Sequence, residues 1–510
     1  MTGDNDDALS EPSANCSNDS ATTPLLSDNS KIEIPASEST SFSFKKLWTF
    51  TGPGFLMSIA FLDPGNISSD LQTGTLVQYK LLWVLLWATI AGLIMQRLSA
   101  RLGVVTRSSL AEMCFIHYKT IPRYLLWIMT EIAIIGSDMQ EVIGTAISIY
   151  FLSNNVIPLW GGVLITILDT LLFLYFDQYG LRKLEFIFAI MISVMAVTFG
   201  YEYFASQPNF LEVLKGMFIP RCQNCASSAT LQAIGIIGSI VMPHNLYLHS
   251  ALVKSRDVNL KKIAEVKEAN FYFFIEATVA VIVSFFINLF VVTVFGNELY
   301  NRTNHDVREQ CRNFLNGTTF PNNHERVRPD LYTAGQFLGC TFGASAMYIW
   351  AVGILASGQS GTMTITYAGQ FVMEGFLNLQ WVAWKRALFC RTISVIPTFV
   401  FAFYSDTNHL TDINIILNAV MSLQLPFAVI PTIAFTSEDA CKKWKSLQDR
   451  YARELKKLSD LKSTGTESQQ LEVQTWDLFE NLSFLRNHIG YNKRTVTNYT
   501  PNMVSACTNI

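Results

Sequence analysis

The chain has 510 residues, of which 50% are hydrophobic and only 15% carry a charge. This composition is apolar for a soluble protein, and the apolar residues form long runs instead of the amphipathic spacing of a soluble helical domain. The formal net charge of −3 does not indicate a topology, because topology follows the local placement of lysine and arginine. The composition therefore favours an integral membrane protein over a water-soluble enzyme.

Residues 1–44 are rich in Ser, Asp, Asn and Thr, which predicts a disordered cytosolic tail. Ten apolar windows of about 20 residues, the length that crosses a bilayer core, follow this tail. They lie near 51–76, 81–101, 124–151, 157–176, 185–205, 231–253, 271–296, 336–357, 385–404 and 411–435. We predict an all-α polytopic membrane protein with a ten-span core over 45–436 and a polar cytosolic tail over 437–510.

Two of these windows are interrupted near their middle. Asp63-Pro64-Gly65-Asn66 breaks the first, and Met242-Pro243-His244-Asn245 breaks the sixth. Proline lacks a backbone donor and clashes with the preceding turn, so each segment should unwind there. Within a bilayer, freed carbonyls are tolerated only where they line a cavity or bind something. Broken helices in matching positions of two halves indicate a transporter with its site near the membrane midplane.

The breaks carry groups that can hold a cation. A mid-membrane carboxylate such as Asp63 normally has a partner or a function, although it could serve only as a helix cap. Asn66 adds a neutral oxygen or a second cap. The Met242 thioether favours transition metals over calcium and magnesium, although methionine is also a common packing residue. Unwinding before Pro243 should free a carbonyl near Ser239 as a further oxygen ligand.

Ionisable residues elsewhere in the spans predict a proton route. Asp138 and Glu141 are three residues apart and share a helix face, and Arg391 in the ninth span is a plausible counter-charge. His244 and His249 lie on the sixth span, and histidine titrates in the physiological range. Such residues inside a membrane indicate a proton relay. A purely structural ion network remains open as the alternative.

Two polar residues of the tenth span have two interpretations. Asn418 and Gln424 could reach the cavity or could bond a neighbouring helix. Of the two, we treat Asn418 as a candidate metal ligand.

The loops predict the orientation. Lysine and arginine cluster after spans two, four and six, which places these loops and the N-terminus in the cytosol. The loop over about 297–335 then faces outward, where its two sequons at Asn301 and Asn316 could be glycosylated. Cys222 and Cys225 also fall outside, where a disulfide is permitted. Because no second Cys-x-x-Cys pair accompanies them, we favour a disulfide, or no bond, over zinc.

These motifs resemble the Nramp family of proton-coupled divalent metal-ion transporters, in its animal branch. The resemblance runs from about Phe42 to Phe435. Beyond the two breaks, it rests on residues 52–55, 136–141, 358–371 and 424–427. It implies the leucine-transporter-like inverted repeat of 5+5 helices with helices 1 and 6 broken, the repeats covering about 45–205 and 231–435.

The resemblance also implies roles for individual residues. Asp63, Asn66, Met242 and the Ser239 carbonyl, where relatives usually have alanine, would bind the metal, with Asn418 near it in one conformation. The proton positions are Asp138, Glu141, His244, His249 and Arg391. The implied cargo is Fe²⁺ and Mn²⁺, then Co²⁺ and Cd²⁺, with no cofactor and no enzymatic activity. We expect one chain to form the transport unit, in the plasma membrane or in an endosomal or lysosomal membrane, with both termini cytosolic.

The C-terminal tail has a different resemblance. Residues Cys441 to Ile489 resemble the second half of a MADF domain, a small helical DNA- or protein-binding module. The simpler interpretation is a basic amphipathic helix near 440–460.

Two alternative functions of the whole chain are open. The chain could be a sodium-coupled amino-acid carrier of the same fold. It could also be a membrane-anchored protein that binds DNA or a protein partner through its tail, although we do not expect nucleic acid as a partner.

Overall fold

The computed structural model describes residues 32–33, 42–177, 181–222, 227–259, 262–312, 314, 320–378, 383–404, 407–437 and 453. The predictions for most of residues 1–41, for Asn316 and for nearly all of 438–510 lie outside the described residues. These include the disordered tail, the second sequon and the MADF-like segment.

The described chain is a bundle of helices. The first half contains α1 (Phe44–Phe50), α2 (Pro53–Ile59), α3 (Pro64–Val77), α4 (Leu82–Thr106), α5 (Leu110–His117), α6 (Thr120–Leu152), α7 (Leu159–Asp177), α8 (Leu181–Ser206) and α9 (Phe210–Phe218). The second half contains α10 (Ser227–Ile240), α11 (Pro243–Leu252), α12 (Ile263–Glu298), α13 (Asn304–Gln310), α14 (Leu331–Phe342), α15 (Ala344–Leu377), α16 (Ala383–Tyr404) and α17 (Thr407–Thr436).

The all-α polytopic fold with helices 1 and 6 broken is confirmed. The first span is α2 plus α3, and the sixth is α10 plus α11. Among the described residues, six helical stretches are long and apolar enough to cross a membrane without help: 82–106, 120–152, 189–206, 227–255, 264–298 and 414–436. The first span is not in this set, because its two halves, α2 and α3, have only 7 and 14 residues.

The predicted eighth span, near 336–357, is wrong. Residues 331–342 form α14, and Gly343, with φ of +96°, ends it before the long helix α15 begins at Ala344. Residues 358–371, which follow the predicted span, are therefore the buried second half of α15. Their small and polar side chains lower the hydropathy because they face other helices, where polar groups find partners, and not lipid.

The protein core joins the broken first span to a scaffold. Ile67 and Leu71 of α3 lie in one buried cluster with residues of α6, α12, α14 and α15. Gly144 of α6 lies directly against Pro64, since a β-carbon at this position would come within 2.4 Å of the proline ring. The position of the first break is therefore fixed by close packing against α6.

One end of the bundle, called the basic end here, carries Arg107, Lys254 and Arg256. Arg107 donates to Asp257 at 3.0 Å, where a short strand, β2 (Arg256–Asp257), follows the sixth span. A second strand, β1 (Ile32–Glu33), pairs with β2 in parallel. This contact brings part of the predicted N-terminal tail to the basic end.

The N-terminus of α2 is also held at the basic end. Buried Glu276 of α12 accepts from the backbone N–H groups of Gly52 and Phe55. Arg256 donates to the carbonyls of Thr49 at 3.0 Å and Thr51 at 2.7 Å. A carboxylate at the start of a short helix satisfies its free N–H groups and matches its dipole.

The opposite end, called the disulfide end here, contains Cys311 and Cys340, which are bonded to each other. This bond ties the loop after α12 to α14. Cys222, just before α10, is also disulfide-bonded, which agrees with the disulfide interpretation of Cys222 and Cys225. Cys225 itself lies outside the described residues.

Candidate metal site between two broken helices

The first break frees backbone carbonyls that neighbouring helices then satisfy. Pro64 has no N–H, so the Ala60 carbonyl one turn back accepts instead from the Asn66 side-chain amide at 3.3 Å. Three further carbonyls accept from the scaffold: Ser58 from Ser284 at 3.0 Å, Phe61 from Asn288 at 2.9 Å, and Leu62 from Ser357. Helices α12 and α15 thus stabilise the unwound segment inside the bundle.

Asp63 forms the start of α3. It is the N-cap residue, and its Oδ1 accepts from the Asn66 backbone N–H at 2.6 Å. Its Oδ2 and the Asn66 Oδ1 are buried, and neither has a hydrogen-bond partner among the described residues. The capping role and a ligand role are therefore compatible, because each uses a different oxygen.

The second break repeats this arrangement. Helix α10 ends at Ile240, and Met242 is the extended residue before α11. Because Pro243 lacks an N–H, the carbonyl of Ser239 loses its usual helical donor. The Ser239 hydroxyl donates back to Ile236 at 3.1 Å, so the side chain that departs from the family alanine is already engaged within α10.

Helix α6 brings the two breaks together. The Ser137 hydroxyl lies 4.0 Å from the Met242 sulfur and also lies beside the Asp63 carboxylate. All three side chains are buried. The site thus presents a carboxylate oxygen, an amide oxygen, a thioether and a freed carbonyl. Oxygen alone suits calcium or magnesium, whereas added sulfur suits softer dications.

Asn418 of α17 reaches the same region. Its side-chain N–H donates to the Gly65 carbonyl at 3.3 Å, and its oxygen accepts from Gln140 at 2.9 Å. Both interpretations of Asn418 thus remain compatible with the structure, since it bonds neighbouring helices beside the candidate ligands. Gln424, one helix turn and more along α17, is buried, and its oxygen has no hydrogen-bond partner among the described residues.

A second polar layer lies toward the disulfide end. Gln232 of α10 donates to Gln72 of α3 at 3.2 Å, which links the halves of the two broken spans. A polar cleft beside this bond is lined by Ser68, Ser69 and Asn418, among others. Sequence reasoning missed Gln72 and Gln232, although the polar face of α3 was a usable signal.

The predicted ion pair is present. Arg391 of α16 donates to Asp138, which also accepts from Ser394. Glu141 lies one turn further along α6, with its Oε2 lacking a hydrogen-bond partner among the described residues. Gly361 of α15 makes room for it, since a β-carbon there would overlap the Glu141 carboxylate. Arg391 therefore pairs with the first of the two acids.

The two histidines differ in their surroundings. Both ring nitrogens of His244 are buried and lack a hydrogen-bond partner in the described part of the chain. His249 contacts Gln96 of α4 through Nδ1 and lines a cavity at the basic end with Arg97 and Arg101. His244 thus lies two residues after Met242, whereas His249 lies more than one turn closer to the basic end.

The first sequon lies at the disulfide end. Asn301 is exposed, as glycosylation requires, and adopts a left-handed conformation with φ of 61°.

Ser137 and Gln140 are two further residues beside the candidate metal site that the sequence did not predict. They occur in the 136–141 motif beside Asp138 and Glu141, where spacing alone does not reveal their contacts with Met242 and α17.

Comparison with known proteins identifies the family. A model of the natural resistance-associated macrophage protein-like (Nramp) family matches residues 54–446. The chain belongs to the Nramp family. As an Nramp protein it is a membrane transporter and not an enzyme. A second model, described as alcohol dehydrogenase transcription factor Myb/SANT-like and representing MADF DNA-binding modules, matches residues 428–485.

Nramp relatives are similar over most of the chain. Protein Malvolio of Drosophila melanogaster is 64% identical over 422 residues, which cover 80% of this chain and 70% of the relative. Human natural resistance-associated macrophage protein 2 is 58% identical over 411 residues, covering 80% and 72%. Among solved structures, a manganese transporter of Eremococcus coleocola is 29% identical with a TM-score of 0.66, covering 81% of this chain and 84% of that one.

Proposed function

We propose that this Nramp protein is a proton-coupled secondary transporter that imports divalent transition-metal ions, Fe²⁺ and Mn²⁺ first and also Cd²⁺ and Co²⁺. The observation that carries the proposal is the convergence of Asp63 and Met242 on Ser137 between the two broken helices. The similar solved structure is that of a manganese transporter, which supports the same class of cargo.

The proposed ligands are Asp63, Asn66, Met242 and the Ser239 carbonyl, with Asn418 joining in one conformation. Two buried oxygens without hydrogen-bond partners among the described residues, Asp63 Oδ2 and Asn66 Oδ1, support this set. A buried polar atom without a partner costs free energy, which a bound cation would offset. The Met242 sulfur then disfavours Ca²⁺ and Mg²⁺.

The experiment separates ligation from helix capping. Asp63→Asn keeps an oxygen that can cap α3, since Asn and Asp are comparable N-caps, but removes the charge. Purified protein in vesicles should lose Mn²⁺ uptake in this variant and in Asp63→Ala, while Asp63→Asn keeps its thermal stability. Full uptake by Asp63→Asn would leave Asp63 a structural cap and contradict the proposal.

A second variant tests the identity of the cargo against the amino-acid carrier. Met242→Ala should reduce the preference for Cd²⁺ over Ca²⁺. Met195→Ala is the matched control, because Met195 is equally buried but lies in the scaffold helix α8. Retained Cd²⁺ selectivity in Met242→Ala, or sodium-driven amino-acid uptake by the parent protein, would favour the carrier.

For the proton, we infer a route from the site through His244, Glu141 and Asp138 to Arg391, with His249 nearer the basic end. Two observations support it: all of these groups are buried, and Arg391 contacts Asp138 directly. Protons and metal compete for Asp63, so uptake should rise in mild acid and fall in strong acid. Glu141→Gln should uncouple metal uptake from acidification of the vesicle interior. Unchanged proton flux in this variant would exclude Glu141 from the route.

We further propose that both termini and the basic end face the cytosol, in the plasma membrane or an endosomal or lysosomal membrane. Lysine and arginine favour the cytosolic side, and disulfides favour the opposite one. One chain holds every proposed ligand, which supports a monomeric transport unit. An Asn301→Gln variant should lose a glycan, seen as a shift in mass after glycosidase treatment. An unglycosylated parent chain with the tail outside would reverse the orientation.

The second family match supports one alternative function, binding of DNA or a protein by the tail. It covers 428–485 and overlaps the end of α17, where a membrane helix occupies part of the matched region. Removing residues 447–510 distinguishes the two functions. Loss of DNA binding with unchanged metal uptake would support a binding role for the tail, whereas the absence of DNA binding by the full chain would exclude it.

A further inference from the structure

The loop between α12 and α14 is held in a defined shape. Thr303 and Asp306 form a reciprocal capping box that starts α13. Thr303 forms an antiparallel bridge with Arg326. The disulfide from Cys311 then ties the loop to α14. The segments around 303 and 326 are therefore fixed to each other from several directions.

This shape brings two histidines together at the disulfide end. The His305 N–H donates to the Asn323 carbonyl at 3.0 Å, and the Asn304 N–H donates to the Glu325 carbonyl at 2.9 Å. His305 and His324 therefore face each other across paired backbones. Their ring centroids are 5.0 Å apart with the planes tilted by 33°. His324 is exposed and His305 partly so, which leaves the pair open to ions from solution.

We propose that His305 and His324 form a second, peripheral binding site for a divalent transition-metal ion. An imidazole nitrogen binds such an ion at about 2.0–2.1 Å, which places the ring centroid roughly 3.2 Å from the metal. Two rings at a tetrahedral angle would then have centroids about 5 Å apart, and the observed separation is 5.0 Å. The observed separation therefore matches the spacing that one shared ion requires.

A carboxylate lies beside the pair. Asp306 Oδ2 accepts from the Thr303 N–H at 2.9 Å and from its hydroxyl at 2.7 Å, and no hydrogen bond of the described residues uses Oδ1. Asp306 follows His305 directly in the chain, so its carboxylate places negative charge beside the pair.

The proposed site supplies two protein ligands and leaves the other coordination positions of the ion to solvent. No group of three His, Cys, Asp or Glu side chains within the described ranges is placed to hold a metal directly. Water would complete the coordination, so the ion should exchange readily. Imidazole ligands suit Zn²⁺, Cu²⁺ and Ni²⁺, whereas Ca²⁺ and Mg²⁺ require oxygen shells. The proposal does not rest on the transport function, because no proposed transport ligand takes part.

The test measures Zn²⁺ binding to the purified full chain by isothermal titration calorimetry. The variant Asp63→Ala/Met242→Ala serves as the background, since it removes the proposed transport site. We expect one bound Zn²⁺ per chain at neutral pH, lost on adding His305→Ala or His324→Ala. His117→Ala is the matched control, since His117 is exposed like His324 but its Nδ1 contacts the Met113 carbonyl within α5, and it should leave binding unchanged.

A second measurement covers the possibility that a variant disturbs the loop. In the background chain, Zn²⁺ should protect His305 and His324 together from diethyl pyrocarbonate, as read by peptide mass spectrometry, whereas Mg²⁺ should not. Binding that survives both histidine variants, or Zn²⁺ that protects neither residue, overturns the proposal. Both outcomes are independent of Mn²⁺ uptake, so failure here is distinguishable from failure of the transport site.

Discussion

Arg391 of α16 donates to Asp138 of α6, and the two side chains are only 3% and 6% exposed. Ser394 donates to the same carboxylate from one turn along α16. The pair therefore joins the two helices through a charge contact that water scarcely reaches. Breaking such a pair leaves one buried charge without compensation, whereas removing both charges is far less harmful.

Arg391→Leu should destabilise the protein by about 3–5 kcal/mol because it leaves Asp138 unpaired. Asp138→Leu/Arg391→Leu should recover most of that loss, yet remain deficient in proton-coupled uptake. Denaturant unfolding of the purified protein in detergent measures the first effect. The exposed pair Lys262–Glu265 is the control, and Lys262→Ala should cost less than about 1 kcal/mol. Equal losses in Arg391→Leu and Lys262→Ala would contradict the expectation.

Ser357→Ala should weaken the unwound segment of the first span. Its hydroxyl donates to the freed Leu62 carbonyl, and losing a buried donor costs about 1–3 kcal/mol. Ser148→Ala is the matched control, because this equally buried hydroxyl bonds the Gly144 carbonyl within its own helix. The unfolding temperature and the affinity for Mn²⁺ should both fall in Ser357→Ala and should stay unchanged in Ser148→Ala. Similar behaviour of the two variants would mean that α15 does not support the break.

Glu276→Ala should loosen the start of α2. It removes the acceptor used by the Gly52 and Phe55 N–H groups, so hydrogen–deuterium exchange should increase in the peptide covering 50–60. Glu276→Gln keeps an acceptor oxygen and should exchange more slowly than the alanine variant. Glu265→Ala, at an exposed position on the same helix, should leave this peptide unchanged. Slow exchange in Glu276→Ala would show that α2 is held without this carboxylate.

Cys311→Ser/Cys340→Ser should lower stability. The bond joins residues 29 apart, and closing a loop of this size contributes roughly 3–4 kcal/mol by restricting the unfolded chain. Calorimetric melting of the double variant measures the effect. Cys114→Ser, at a buried free cysteine, controls for loss of a thiol. An unchanged melting temperature in the double variant would mean that the loop is held by its hydrogen bonds alone.

Several features of the architecture could be predicted from the chemistry of individual residue types. Pro64 and Pro243 each remove a backbone donor, so the two unwound sites were predictable without any neighbour. The pairing of Asp138 with Arg391 was predictable because isolated charges are costly in a membrane. The proline effect is local, and the ion pair, although its partners are 253 residues apart, was predictable because few charged residues lie within the spans.

Other features depend on neighbours that are distant in sequence. The second half of α15 carries Gly, Ser and Thr, so hydropathy places it outside the membrane, yet its buried surface faces α6 and includes Gly361 against Glu141. The role of Gln140 could not be predicted, because its hydrogen-bond partner Asn418 is 278 residues away in the chain. Window-based reading cannot detect such partners because it compares a residue only with its own segment.

The hydrogen bond between Gln72 and Gln232 has a consequence for the link between the two broken spans. Both groups are uncharged amides, so neither partner gains or loses charge when the acidity changes. The bond between α3 and α10 therefore keeps the same electrostatic character in acid as at neutral pH. A carboxylate such as Asp63 can instead take up a proton, so the two broken spans are joined by a contact that is insensitive to acidity beside a group that is sensitive to it.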